Sequence, residues 1–267
     1  MEIFDAAGKL VRRFASDDKP LAVDVNTLRF PTYWIRPNQI LKNEPGMQRF
    51  VWDLMYPNPP SDAYDLLISA IYKDTPFVPQ GPAVMPGIYM VKLTVDGKSF
   101  NQKLNVRIDP RVTTPLAGLQ KQFTLSMLAY DGIIRSRELE DKTKKLAEQL
   151  KTVREKAGKD TPLAKNIETV ETKLNLLVNG LPPVPGKPLA AREFPISRLT
   201  AAFTGLLDLV QDADVSPTTQ ANADSTALQT ALNATEIELK NLVESDLPVL
   251  NGKLRQANLI PIEAGAR

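Results

Sequence analysis

Between Gly87 and Ile108, apolar and polar residues alternate with a period of two. Tyr89, Val91, Leu93 and Val95 fall on one side of a strand; Ile88, Met90 and Lys92 fall on the other. Asp96-Gly97 interrupts the alternation with the pair that a type I′ turn favours, so a hairpin is predicted. Its second strand runs on through Phe100, Leu104, Val106 and Ile108. Upstream, residues 2–5 and 9–14 pair around Ala6-Ala7-Gly8, with Gly8 supplying a positive φ. Gln48 to Asp53 (QRFVWD) alternates too, which places Trp52 with Phe50 in the core and Asp53 at the end of a strand. Long proline-bearing segments separate these strands. In one of them, AYDLLISAIY is too short to distinguish a strand from a helical turn or two. The pattern predicts five or six short antiparallel strands forming a small β-sandwich.

From Thr114 the period lengthens to about 3.6. Leu116, Leu119, Phe123, Met127, Tyr130 and Ile134 open a stripe that continues through Leu146, Leu150 and Val153, predicting one helix of about 40 residues ending at Ala157-Gly158. Thr161-Pro162 caps and starts a second helix, whose seam is Leu163, Ile167, Val170, Leu174 and Leu177, and Asn179-Gly180 ends it. A third runs from Ile196 to about Ala213. Ser216-Pro217 is the expected cap and first position of a fourth. Its stripe is Leu228, Leu232, Thr235, Leu239 and Leu242, then Leu247, Leu250 and Leu254, with Pro248 kinking or dividing it. Four helices with these connections predict an all-α antiparallel four-helix bundle. The expected domains are residues 1–111 for the β-sandwich and 112–267 for the bundle, with the boundary in DPRVTTP.

Composition narrows the chemistry. The 267 residues are 43% apolar and 24% charged, with a net charge of +2, so no field for nucleic acid or anionic lipid is present. The chain contains no His and no Cys, which excludes a histidine-based triad, thiol catalysis, thiolate or imidazole metal sites and disulfides. No run approaches the 18 or so apolar residues of a membrane span, so membrane insertion is not expected. No cofactor is expected either. Met1 leads straight into a strand, and a chain that begins inside a fold is expected to be a fragment of a larger protein.

Carboxylates are the remaining candidates for catalysis. Asp17-Asp18 and Asp53 are weighed as a hydrolytic set, which requires two carboxyl groups facing one substrate; solvated turns are the competing reading. Asp109, before Pro110-Arg111, is expected to hold the junction between sheet and first helix. DADVSPTTQANAD lacks the alternating oxygen ligands of a calcium loop. Aromatics crowd the first domain. Tyr33 and Trp34, in the loop PTYWIRP, are the expected exposed ligand-binding rings, with Arg36 as a hydrogen-bonding head.

Several stretches carry a family resemblance. IFDAAGKLVRRF, GMQRFVWDL and GPAVMPGIYMVKLTVDGK resemble the immunoglobulin-like domain of the flagellar hook-capping family, with Gly8, Trp52, Asp53, Gly87 and Tyr89 at motif positions; these residues, like Asp96 and Gly97 of the turn, are expected to be structural. As a whole, YWIRP, RFVWDL, PGIYMVKLTVDGK and DPR resemble the C-terminal region of large secreted bacterial proteins with sialidase-type Asp-box or sortilin-like repeats, often labelled glycosyl hydrolases. That resemblance implies an immunoglobulin-like sandwich lacking its first strand, a β-propeller elsewhere in the parent protein, and a periplasmic or extracellular location. No Asp-box motif occurs here, so the hydrolase label is not carried onto this chain. The functional expectation is a non-catalytic accessory module that packs on such a propeller or another protein partner. A carbohydrate-binding module using Tyr33 and Trp34, and a carboxylate-only hydrolase, are the alternatives.

Overall fold

The computed structural model describes residues 1–19, 26, 28, 30–37, 39–61, 65–66, 71–158, 161–180 and 194–263. A β-strand region comes first and a helical region follows. The strands are β1 (Glu2–Phe4), β2 (Leu10–Arg13), β3 (Asp65–Leu66), β4 (Phe77–Val78), β5 (Gly87–Val95) and β6 (Lys98–Val106). The helices are α1 (Leu116–Ala157), α2 (Pro162–Asn179), α3 (Ile196–Gln211), α4 (Thr219–Asn241) and α5 (Leu247–Gln256), with a π-helical turn, Leu242–Asp246, joining the last two.

The chain divides into two compact units. One comprises Met1–Tyr130 with Leu207–Pro217. Strand gives way to helix between Val106 and Leu116, but this unit runs past residue 111 into α1. The reason is packing: Phe123 and Met127 of α1 lie against the buried sheet cluster of Ile3, Val11, Tyr56 and Tyr89. Leu207–Pro217 is tied in by polar contacts. The Gln122 amide donates to the carbonyls of Val210 (2.8 Å) and Ala213 (2.7 Å), and the Thr114 hydroxyl donates to that of Asp214 (2.6 Å).

The main sheet is antiparallel, in the order β2-β1-β5-β6. At the first hairpin the Asp5 carboxylate accepts from the backbone N–H groups of Ala7 (2.9 Å) and Lys9 (2.8 Å), and Gly8 takes φ 78°. At the second, Asp96 (φ 48°) and Gly97 (φ 77°) supply the two positive φ angles of a type I′ turn, and Val95 pairs with Lys98. Two strand expectations need correction. QRFVWD is not a ladder strand: the Trp52 indole donates to the Met55 carbonyl (3.1 Å), and only Met55 forms a bridge, to Ala83. Within AYDLLISAIY, Asp65–Leu66 is a strand paired with β4; residues 63, 64 and 67–70 lie outside the described residues.

The second unit comprises Asp131–Leu206 and Thr218–Arg267. Its buried side chains include Ile133, Leu146 and Leu150 of α1, Ile167, Val170 and Leu174 of α2, Leu199 and Phe203 of α3, and Leu228, Leu232 and Leu239 of α4. The Thr161 hydroxyl accepts from Ala164 N–H (3.0 Å), Pro162 opens α2 and Gly180 closes it at φ 73°. Pro248 has no N–H to give to the preceding turn, and the helix widens into the π turn just before it.

Three helical details depart from the sequence reading. Leu116 is exposed, whereas Leu125, Ala129 and Ile133 are buried, so the apolar face of α1 is broader than one stripe. The third helix stops at Gln211. The cap of α4 is Thr218, whose hydroxyl accepts from Ala221 N–H (3.1 Å); Ser216 instead lies against Gly118 of α1, where no side chain fits.

Candidate interaction surface

Two loops of the first unit meet at a cluster of rings. Pro31 leads a 3₁₀ turn, Thr32–Trp34, in which Trp34 N–H donates to Pro31 and Ile35 N–H to Thr32 (each 3.1 Å). The other loop, Ile71–Thr75, is closed by the Thr75 hydroxyl, which accepts from Ile71 N–H (2.7 Å) and donates to the Ile71 carbonyl (3.0 Å). Thr75 is 2% exposed, so this polar group is satisfied inside the loop pair.

The loops are joined by backbone. Lys73 N–H donates to Tyr33 (3.0 Å), Thr75 N–H to Trp34 (3.1 Å) and Arg36 N–H to Thr75 (2.9 Å). The Arg36 guanidinium adds a 2.8 Å contact to the Asp74 carboxylate and a 3.3 Å contact to its carbonyl. Arg36 is therefore engaged in holding the loops together.

This framework presents apolar area to solvent. Tyr33 is 55% exposed, Tyr72 64% and Ile71 62%. The two tyrosine rings have centroids 6.1 Å apart and are tilted by 46°, forming a notch and not a plane. Lys73 Nζ sits 5.2 Å from the Tyr72 centroid. Trp34 is only half-buried, flanked by Phe30 (5.8 Å) and edge-on to Tyr33 (6.2 Å, 89°). Of the three residues singled out in this loop, Tyr33 is the exposed ring and Trp34 supports it. Tyr72, Ile71 and Lys73 complete the surface and carry no sequence signal of their own, because a loop about 40 residues away must fold onto Tyr33 to place them.

The other singled-out residues have local structural partners. Trp52 packs against the sheet cluster and edge-on to Tyr89 (5.9 Å). The Tyr89 hydroxyl donates to the Met85 carbonyl (2.7 Å), and burial pushes its pKa up to about 12. Gly87 opens β5. Asp109 accepts from Arg111 N–H (2.9 Å) and from its guanidinium (2.6 Å), contacts that hold its carboxyl below the usual carboxylate range. Asp53 accepts from Met55 N–H (3.1 Å), and Asp18 from Ala15 N–H (2.6 Å); Asp17 is exposed. The Arg12 guanidinium donates to the Tyr56 carbonyl and stacks on Phe14; burial lowers its pKa, with Asp53 opposing the shift.

In the helical unit a groove of about 1170 Å³ is lined by Leu176, Leu177, Phe194, Ala227 and Ala231, with Lys173 and Asp246 paired at 2.7 Å on its wall. Among the described residues, no group of three or more Asp or Glu side chains is placed to hold a metal ion. Among the same residues, no helix is long and apolar enough to cross a membrane. The chain matches no protein-family model, no curated protein sequence and no solved structure.

Proposed function

We propose that this chain is a non-catalytic interaction module that docks on a protein partner through the Tyr33–Tyr72–Ile71 surface. The observation that carries the reading is that exposed apolar area rests on two loops joined by backbone hydrogen bonds. Preformed aromatic anchors bind at low entropic cost, and tyrosine suits such a surface. The 46° notch and the lysine beside one ring favour an irregular protein surface over a flat sugar face. By the resemblance, the strand region is read as an immunoglobulin-like sandwich lacking a strand and the helices as an antiparallel four-helix bundle. On the same ground the partner is a sialidase-type β-propeller of the parent protein, in the periplasm or outside the cell.

The second reading is carbohydrate binding at the same rings, which the adjacent Arg36–Asp74 pair favours by offering hydrogen-bonding groups. Calorimetric titration of the chain with such a propeller separates the two. Binding that weakens at least about tenfold in a Tyr33→Ala/Tyr72→Ala double variant supports the protein reading. Binding of soluble polysaccharide, lost in the same variant, replaces it with the sugar reading. Glycoside turnover that disappears in Asp53→Asn would overturn both in favour of a carboxylate hydrolase.

A further inference from the structure

The strand β6 lies at the end of the sheet, and among the described residues its outer edge pairs with nothing. The opposite edge strand, β2, is short and its pairing is broken by a bulge, whereas β6 is nine residues long and regular. An unpaired edge of this length is a template for another strand.

Register determines which groups it offers. The two-residue turn makes Val95–Lys98 a hydrogen-bonded pair, so the bonded pairs to β5 continue at Phe100, Gln102, Leu104 and Val106. The N–H and C=O groups of Ser99, Asn101, Lys103 and Asn105 therefore point to the free edge.

We infer that β6 pairs antiparallel with β6 of a second copy, centred on Gln102. This register opposes Ser99 to Asn105 and Asn101 to Lys103, all edge-pointing residues, so the ladder closes without a bulge. It opposes Phe100 to Leu104 of the other strand on the face that carries Tyr89 and Val91. Phe100 is 60% exposed in the single chain and gains an apolar neighbour there. The charges also disfavour one neighbouring register, and the other would set Phe100 against Gln102 in place of Leu104. Lys98 faces Val106 and Lys103 faces Asn101, whereas a slip by two residues toward the C-terminal end would set Lys103 directly against its own copy, a like-charge pair. The seam is about 30 Å long and adds little area beyond the strands, which makes this a weak, reversible dimer and not an obligate one. The two lysines per strand, with no acid to answer them, make it stronger as salt rises.

The absence of cysteine in the chain allows a clean test. Sedimentation equilibrium of the full chain over a wide concentration range should show a monomer–dimer equilibrium that strengthens with added salt. Asn101→Pro removes only an edge-facing N–H and is tolerated on an edge strand; it should weaken dimerisation at least about tenfold with the circular dichroism spectrum unchanged. Independently, Gln102→Cys sets one thiol opposite its own copy at a non-hydrogen-bonded position, and it should form a disulfide dimer faster than Lys151→Cys, an exposed control on α1. A wild-type chain that stays monomeric throughout, dimerisation retained in folded Asn101→Pro, or equal oxidation of the two cysteine variants would each overturn the inference.

Discussion

The ring of Phe203 lies directly on the backbone of Gly132, where α3 crosses α1. Phe203 is fully buried, and a Cβ at position 132 would overlap its ring. Alanine is the better helix former by about 1 kcal/mol, so an exposed glycine-to-alanine change would stabilise. Here overpacking opposes that gain at about 1–3 kcal/mol or more, because the ring has no free volume to enter. Gly132→Ala is expected to be destabilising by up to about 2 kcal/mol net in urea melts; a stabilised variant would show that the two helices can move apart without cost.

Burial ranks the aromatic substitutions. Trp52 is half-buried, packs on the sheet cluster and makes one indole hydrogen bond, so Trp52→Ala should lower stability by about 2–3 kcal/mol. Tyr33→Ala and Tyr72→Ala remove mostly solvent-facing area and should each cost less than about 1 kcal/mol. Denaturant unfolding of the three variants checks the order. Equal losses would mean that the loop rings are part of the packing and not a surface for a partner.

Alkaline pH should unfold the first unit through its buried tyrosines. Burial raises the pKa of Tyr89 to about 12, and those of Tyr56 and Tyr130 also move upward by burial. The folded state thus holds these phenols neutral after the unfolded chain, at its ordinary value of about 10, has begun to ionise. The stability they contribute is complete below pH 10 and is lost as pH rises toward 12. Tyr89→Phe should flatten that decline while losing the bond to Met85, and tyrosinate absorbance followed together with circular dichroism measures both.

The C-terminal segment is held by two amide side chains. Asn251 donates to the Ile262 carbonyl (2.9 Å) and accepts from Ile262 N–H (2.8 Å); Gln149 of α1 does the same for Glu263 (3.0 and 2.8 Å). Ile262 is buried, so Asn251→Ala should cost about 1–3 kcal/mol and open the chain at Ile262 and Glu263 to carboxypeptidase. Gln149→Ala acts at an exposed pair and should cost less than about 1 kcal/mol. Trimming that is faster in Gln149→Ala than in Asn251→Ala would reverse the assignment.

These contacts also mark where sequence reading stops. Asp96-Gly97 announces its turn because the positive φ angles are a property of those two residues, and Thr161-Pro162 and Gly180 announce the ends of α2 for the same reason. QRFVWD reads as a strand because alternation reports an extended backbone, while a ladder also needs a partner that only the tertiary fold supplies. Ser216 and Thr218 have the same capping chemistry; the choice between them was made by the close approach of Ser216 to Gly118, a hundred residues away in sequence. Tyr72 joins Tyr33, and Asn251 joins Ile262, through contacts to which neither residue's own surroundings point.

The π turn at Leu242–Asp246 amounts to a correction of phase. From Leu228 of α4 into the π turn, buried positions fall at 228, 232, 235, 239 and 242, a rhythm that would next bury 246 and then 249. Asp246 occupies the first of those places and Val249, the second, is exposed; the leucines arrive one residue late, at 247, 250 and 254. A continuous α-helix would have turned the carboxylate toward the core and rotated the leucines away by about 100°. One extra residue in a single wide turn absorbs the slip, returns the leucines to the interior and leaves Asp246 at the rim to pair with Lys173. The wide turn thus takes up one residue beyond the α-helical count, and the leucines after it stay in the interior. Deleting Val243 should remove the slip of phase and the wide turn with it, leaving the missing N–H of Pro248 as the remaining break between the two helices.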